Sequence, residues 1–318
     1  MPETPQPITY LEHVNGTLRK AVGAEEGLVV FGQNVSAGSR ISGFTKGFAV
    51  KENGIIINST NTENSLVGFG FGIMIGGGKA AFFMKQLDFL FLGIDQLVNT
   101  YNIIRNSTHT KGSFTILPVT VDMGYEGAQS SSNNFADFCS IARIDGYAIT
   151  NKYDVEKIVA THFAKPGFRI ISVSQRMYKN EIIDPGEPIV ADKDMKFAQY
   201  KDGPDATIVS FNFSFPYAWK LGLELEKAGK RPAVFNVNYM TPIDWAPILE
   251  SIKRTKKLVV FDDSKSENLS CFSLLAEARG LDLKKDIFIK RTLKDDWLNP
   301  VSDVMDINYE AISRELGA

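Results

Sequence analysis

The chain has 318 residues, 44% hydrophobic and 23% charged, with a formal net charge of −2 at pH 7. This is an ordinary globular composition, long enough for two domains. The near-neutral balance argues against a nucleic-acid partner, and the lack of a long uncharged apolar run argues against a membrane span.

The opening residues MPETPQPITYLEHV carry no basic and apolar signal pattern. Cys139 and Cys271 are too few for a disulfide framework or an all-thiolate metal site, so the expected setting is a reducing cytoplasm. From Thr9 to Ala24 the spacing of Leu11, Val14, Leu18 and Val22 predicts an amphipathic helix, followed by a strand over Leu28–Gly32. Ser36 to Val50 is rich in Gly and Ser and reads as a loop. Gly54–Ile57 reads as a short buried strand. The turn-forming residues Asn58, Ser59, Thr60 and Thr62 then place Glu63 at a strand end, beside the first turn of a helix. On that helix Gly68, Gly72 and Gly76 recur every fourth position and form one small-residue face suited to close packing.

Further on, strands are expected over Ala80–Met84, Phe114–Val121, Ala148–Ile149 and Arg169–Val173, and helices over Phe91–Tyr101, Phe135–Ile144 and Asp154–Ala164. His162, on the last of these helices, is expected to be solvated. Residues 181–204 turn polar and rich in Pro and Gly, which marks a linker between a first domain over 1–180 and a second over 205–318. The second shows strands at Thr207–Asn212, Ala233–Val237, Leu258–Asp262 and Ile287–Lys290, with helices at Pro216–Ala228, Trp245–Arg254 and Leu269–Arg279. The alternation predicts an α/β fold of two domains, each a mostly parallel sheet flanked by helices.

Two phosphate-binding motifs fail on spacing. From Gly68 or Gly70 the dinucleotide pattern meets Ile73 or Ile75 where its last glycine belongs, and GGGKA at Gly76–Ala80 lacks the hydroxyl residue that follows a P-loop lysine. A lone Glu at a helix start is, taken by itself, a favourable charge at the positive end of the helix dipole. The aromatic residues Phe82, Phe83 and Phe91 read as core.

The run from Glu63 through GFGFG to Phe89, and IDQ at Ile94–Gln96, resembles the β subunits of pyruvate dehydrogenase-type thiamine diphosphate enzymes, which carry an I-S-E-M-G-F-A-G…F…A-I-D-Q pattern. No gap is needed. A weaker likeness covers FGQNV at Phe31–Val35, MTPIDW at Met240–Trp245 and KKLVVFDD at Lys256–Asp263. The resemblance implies a transketolase-like pyrimidine-binding domain followed by a transketolase C-terminal domain. It implies that Glu63 bonds a ring nitrogen of the cofactor's aminopyrimidine and that Phe89 packs on that ring. A carboxylate there can share a proton with the ring, which shifts the exocyclic amine towards the imino form that deprotonates the thiazolium carbon. Asp95 then organises a helix and a subunit contact.

Departures from the family pattern fall on the substrate side. Gln33, a cofactor-binding candidate, and Asn34 replace a pair of acids. AQSSSNN places Ser130, preceded by Gln129, where the family has a histidine facing the substrate. A serine hydroxyl is no base near neutral pH without help. The chain also has no G-D-G…N-N motif for the diphosphate and Mg2+. The resemblance therefore implies an α subunit that holds them, in an α2β2 heterotetramer. The expected function is a thiamine-dependent β subunit that cleaves a 2-oxo acid and passes on an acyl or aldehyde fragment. The alternatives are a split transketolase-like ketol transferase acting on a sugar, or a noncatalytic paralogue.

Overall fold

The computed structural model describes residues 7–107, 111–123, 132–291 and 304–317. The first sheet contains β1 (Leu28–Gly32), β2 (Ile55–Asn58), β3 (Lys79–Met84), β4 (Ser113–Thr120), β5 (Asp145–Ala148) and β6 (Gly167–Ser174). Its order is β2-β1-β3-β4-β6-β5 and every pairing is parallel. Around it lie α1 (Tyr10–Ala24), α2 (Glu63–Ile75), α3 (Tyr101–Ser107), α4 (Phe135–Ala142) and α5 (Lys152–His162). Parallel strands covered on both faces read as continuous apolar runs, and β4 is buried along its whole length. The edge strand β2 is the exception. It was expected to be buried, yet Ile55 is 52% exposed because only β1 pairs with it.

The second sheet holds β7 (Val190–Ala191), β8 (Phe197–Lys201), β9 (Ala206–Phe211), β10 (Pro232–Val237), β11 (Lys257–Asp262) and β12 (Lys285–Lys290), in the order β12-β11-β9-β10-β8-β7. β9 to β12 pair in parallel, whereas β8 and β7 run antiparallel at one edge. Both antiparallel strands lie inside residues 181–204, so much of the segment expected as a linker belongs to the second sheet. The helices here are α6 (Phe215–Lys227), α7 (Ala246–Thr255), α8 (Phe272–Ala278) and α9 (Tyr309–Glu315). Among the described residues no helix is long and apolar enough to cross a membrane.

Thr9 caps α1 with a capping box closed by Glu12, and Val14, Leu18 and Val22 are buried as their spacing requires. The segment expected as one helix over Phe91–Tyr101 is instead a 3-10 stretch at Leu87–Gly93, a π turn at Gln96–Thr100 and then α3. Asp95 Oδ1 accepts from Asn99 Nδ2 at 2.7 Å within it. Phe82 and Phe83 are core, with Phe82 stacked on Phe31 at 5.0 Å, but Phe91 is 49% exposed. Its ring lies on the outer side of the short 3-10 turn, whose period differs from that of an α-helix.

Charged groups are buried where the two sheets meet. The loops that follow β4, β6, β9 and β11 come together, and Arg176 pairs with Asp263 and lies 3.7 Å from Asp122. Asp263 Oδ1 also accepts from Asn212 Nδ2 at 2.9 Å and from the Phe213 amide at 3.0 Å. Burial opposes the charge on Arg176, but the carboxylates of Asp263 and Asp122 hold its pKa above the ordinary arginine value. A second cluster surrounds Asp154, whose carboxylate accepts from Asn151, Asn236 and the Tyr200 hydroxyl.

Candidate cofactor cavity

Strand order fixes where a ligand can enter. From β1 the chain goes to β2 on one side, and from β3 to β4 on the other, so the carboxyl ends of the neighbours β1 and β3 flank a topological switch point. Gly32 ends β1 with φ 146°, and a Cβ there would lie 2.1 Å from the Phe83 carbonyl oxygen. Only glycine lets the two strand ends come this close. The next residue, Gln33, is half-buried at the opening.

A small cavity of about 10 Å³ lies at this point and is lined by Gln33, Thr60, Glu63, Lys85 and Phe89 among others. The structure therefore brings Gln33, Glu63 and Phe89 together from three separate elements. Gln129 and Ser130 lie outside the described residues. A wider groove of about 1020 Å³ runs between α6 and α9, but its charges neighbour one another, as in the Lys227–Glu224 pair at 2.9 Å. The small cavity is the better candidate because of one atom. Glu63 is 6% exposed, and its Oε2 is buried with no hydrogen-bond partner. An ionised or neutral carboxyl oxygen in that state costs stability unless a ligand meets it.

Glu63 opens α2, and the helix is held down by glycines other than those expected. Gly70 faces Phe114, where an added Cβ would come within 2.2 Å of the ring, while Gly72 is exposed with nothing near it. A Cβ added at Gly68 would lie 3.5 Å from the Gln96 side chain. The expected stripe of small residues is thus split between a helix contact and solvent. The Phe89 ring is half-buried on the 3-10 turn. Beside it the buried Asp88 accepts from the Ser132 amide at 3.0 Å, which ties the chain after residue 131 to the turn that carries Phe89.

Lys85 was not anticipated. It is the first residue after β3 and is exposed at the cavity. Its sequence signal is a charged residue directly after a buried strand, at the strand end where ligands bind in parallel sheets. The described histidines lie elsewhere. His13 is 3.3 Å from Glu156, and His162 is 3% exposed, stacked on Tyr147 at 4.4 Å. His162 was expected in solvent; its helix is covered by the segment around Asp194, whose carbonyl accepts from Nε2 at 2.7 Å. Among the described residues no group of three His, Cys, Asp or Glu side chains is placed to hold a metal ion.

Comparison with known proteins agrees with this architecture. Residues 196–274 match the transketolase C-terminal domain. The pyruvate dehydrogenase E1 component subunit beta of Acholeplasma laidlawii is 24% identical over 270 residues, covering 81% of this chain and 80% of that protein. The subunit of the same name from Rhizobium meliloti is 23% identical over 264 residues, covering 80% of this chain and 56% of that protein. A solved split-gene transketolase, described as an inactive β4 tetramer, superposes with a TM-score of 0.64 at 17% identity over 89% of each chain. The chain is thus similar in sequence to pyruvate dehydrogenase E1 β subunits and in fold to a split-gene transketolase, and its residues 196–274 match the transketolase C-terminal domain.

Proposed function

We propose that this chain is the β-type subunit of a split thiamine-diphosphate-dependent enzyme that breaks or forms a C–C bond next to a carbonyl, with a 2-oxo acid as donor and an acyl or aldehyde fragment passed on. The observation that carries the reading is the buried, unpartnered Glu63 Oε2 in one cavity with Phe89 and Gln33. Such an oxygen lacks a hydrogen-bonding partner, and the ring nitrogen of an aminopyrimidine would supply one. Thiamine diphosphate, when bound, supplies the carbanion-stabilising chemistry.

Glu63 Oε2 would bond the aminopyrimidine nitrogen and hold a proton at that atom, and the low exposure of its carboxyl would keep water from competing for that proton. Phe89 offers a flat apolar face to the ring. Gln33, with both a donor and an acceptor, bonds polar atoms at the rim. The substrate-side roles of Gln129 and Ser130 rest on the sequence resemblance alone. Ser130→His tests them, and should add an ionisation to the pH–rate profile and narrow the accepted substrates.

Diphosphate and Mg2+ are assigned to an α subunit, in an α2β2 assembly, because this sequence lacks the motif that holds them. Exposed apolar side chains on α2 and on the turn that carries Phe89 support a partner surface: Phe69 and Ile75 on α2 are 45% and 49% exposed, and Leu92 beyond Phe89 is 63% exposed. Calorimetry with thiamine diphosphate and magnesium is the test. The chain alone should bind poorly and the chain with its α partner tightly. Tight binding by the isolated chain overturns the split assembly, and no binding in either state overturns the cofactor reading.

Ketol transfer from a sugar is the second reading. It is favoured by Lys85, a cation at the cavity.

A further inference from the structure

A groove of about 490 Å³ lies between α1 and α5, with none of the cofactor cavity's residues in its walls. The two helices lie side by side and run the same way. The Tyr10 hydroxyl at the start of α1 bonds the Ile149 carbonyl just before α5 at 2.7 Å, and His13 lies 3.3 Å from Glu156 one turn into α5. The helix α2, by contrast, packs on β3, β4 and the turn that carries Phe89. Tyr10, Val14, Leu18 and Val22 face the core, which leaves Glu12, Gly16 and Lys20, each about one turn from the next, along the open side of α1. Beside them on α5 stand Glu156 and Ala160. The groove is therefore acidic at one end, with Glu12 and Glu156, and basic at the other, with Arg19 and Lys20. Between the two ends a Cβ added at Gly16 would meet nothing within 4 Å. Among the described residues Lys20 makes no ion pair, and Glu12 engages only Oε2 in the capping box with Thr9. Ile8, at the acidic end, is 55% exposed.

The order of charges decides what fits. Glu12 and Lys20 are about 12 Å apart along the helix, too far to pair with each other. The row acid, gap, base does match a copy of itself turned end for end. A two-fold axis passing at Gly16 sets the Glu12 of each copy against the Lys20 of the other, so one kind of contact forms twice, and it brings the helices together where neither carries a side chain. The Ile8 of each copy then lies towards the other copy's Ala21 end and is covered there. A partner surface of one charge sign would be repelled at one end of the groove. We infer that the groove between α1 and α5 is a contact between two copies of this chain, with the two α1 helices packed antiparallel. The contact is small beside the interface of a permanent dimer, so the association is weak, and it weakens further as salt screens its charges. It goes beyond the proposed function, since it uses neither the cofactor cavity nor the apolar face assigned to the α subunit.

The test uses the full chain at low salt, without thiamine diphosphate, followed by sedimentation equilibrium and by cross-linking. Lys20→Glu should weaken self-association about tenfold or more, because two attractions become two repulsions. Exchanging the charges, with Glu12→Lys and Lys20→Glu in one chain, should restore it, and denaturant unfolding of each variant shows that it is folded. Gly16→Cys should give a covalent dimer on mild oxidation, because the axis brings the two sulfurs together. The wild type should give none, since Cys139 and Cys271 are buried. A wild-type chain that stays monomeric, an association unchanged by Lys20→Glu, or the lack of a cross-link in Gly16→Cys overturns the inference. Self-association through α2 instead would show the second and third of these results. Because the cofactor is left out, neither outcome alters the reading of the cavity.

Discussion

Asp263 and Glu63 are both buried carboxylates near the carboxyl end of a parallel strand, at 0% and 6% exposure, yet their surroundings differ. Asp263 has Arg176, Asn212 and the Phe213 amide around it. Glu63 has one oxygen with no partner. A buried charge with its lone pairs matched is part of the scaffold, and removing one member leaves the others uncompensated. A buried oxygen left unmatched destabilises the free chain and is ready for a ligand. The junction between the sheets and the cavity at the switch point thus hold the same functional group in opposite states, matched in one and unmatched in the other.

The largest expected effect would break the comparison from the junction side. Asp263→Ala removes the closer of the two carboxylates beside the buried Arg176, and should lower the unfolding free energy by about 3–5 kcal/mol. Denaturant titration measures it, and a cost below about 1 kcal/mol would mean that the junction does not depend on its pairing. From the cavity side, Glu63→Gln should leave unfolding nearly unchanged while exchange of the cofactor's thiazolium proton in the assembled complex slows about 10²-fold or more. Wild-type exchange in that variant would remove Glu63 from the mechanism.

Substitutions on α2 sharpen the comparison by showing which side of the helix supports Glu63. Gly70→Ala drives a methyl group into the buried Phe114 ring and should cost about 1–3 kcal/mol. Gly72→Ala meets open space on an exposed helical turn, and should stabilise by about 0.5–1 kcal/mol. Thermal unfolding of the two variants should shift in opposite directions.

The smallest effect concerns pH and lies where α5 meets the Asp194 segment. Burial lowers the pKa of His162 from 6.5, against the Asp194 carbonyl that favours its protonated form. Because the folded value lies below the unfolded one, the stability is fully present above about pH 6.5 and is lost as pH falls through the folded value. His162→Gln, which keeps a donor for Asp194, should flatten the stability–pH curve in that window. An unchanged acid limb would show that other groups govern it. Glu63→Gln is not expected to alter this window, since the two residues belong to different clusters.

The sequence by itself determined the α/β class and the run of strands and helices, since apolar runs and helical spacing report how each element is buried on its own. It also singled out Glu63 and Phe89, through their common resemblance to one pattern. Tertiary structure decided what those residues meet. Strands at 28–32 and 79–84 are neighbours although β2 and α2 separate them in the chain, and this pairing puts Gln33 and Lys85 beside Glu63. The same kind of long-range contact buries His162 under the Asp194 segment, draws residues 190–201 into the second sheet and selects Gly70 rather than Gly72 as the packing glycine. Periodicity records one face of one element, whereas a neighbour from elsewhere in the chain is chosen by which surfaces can be buried together.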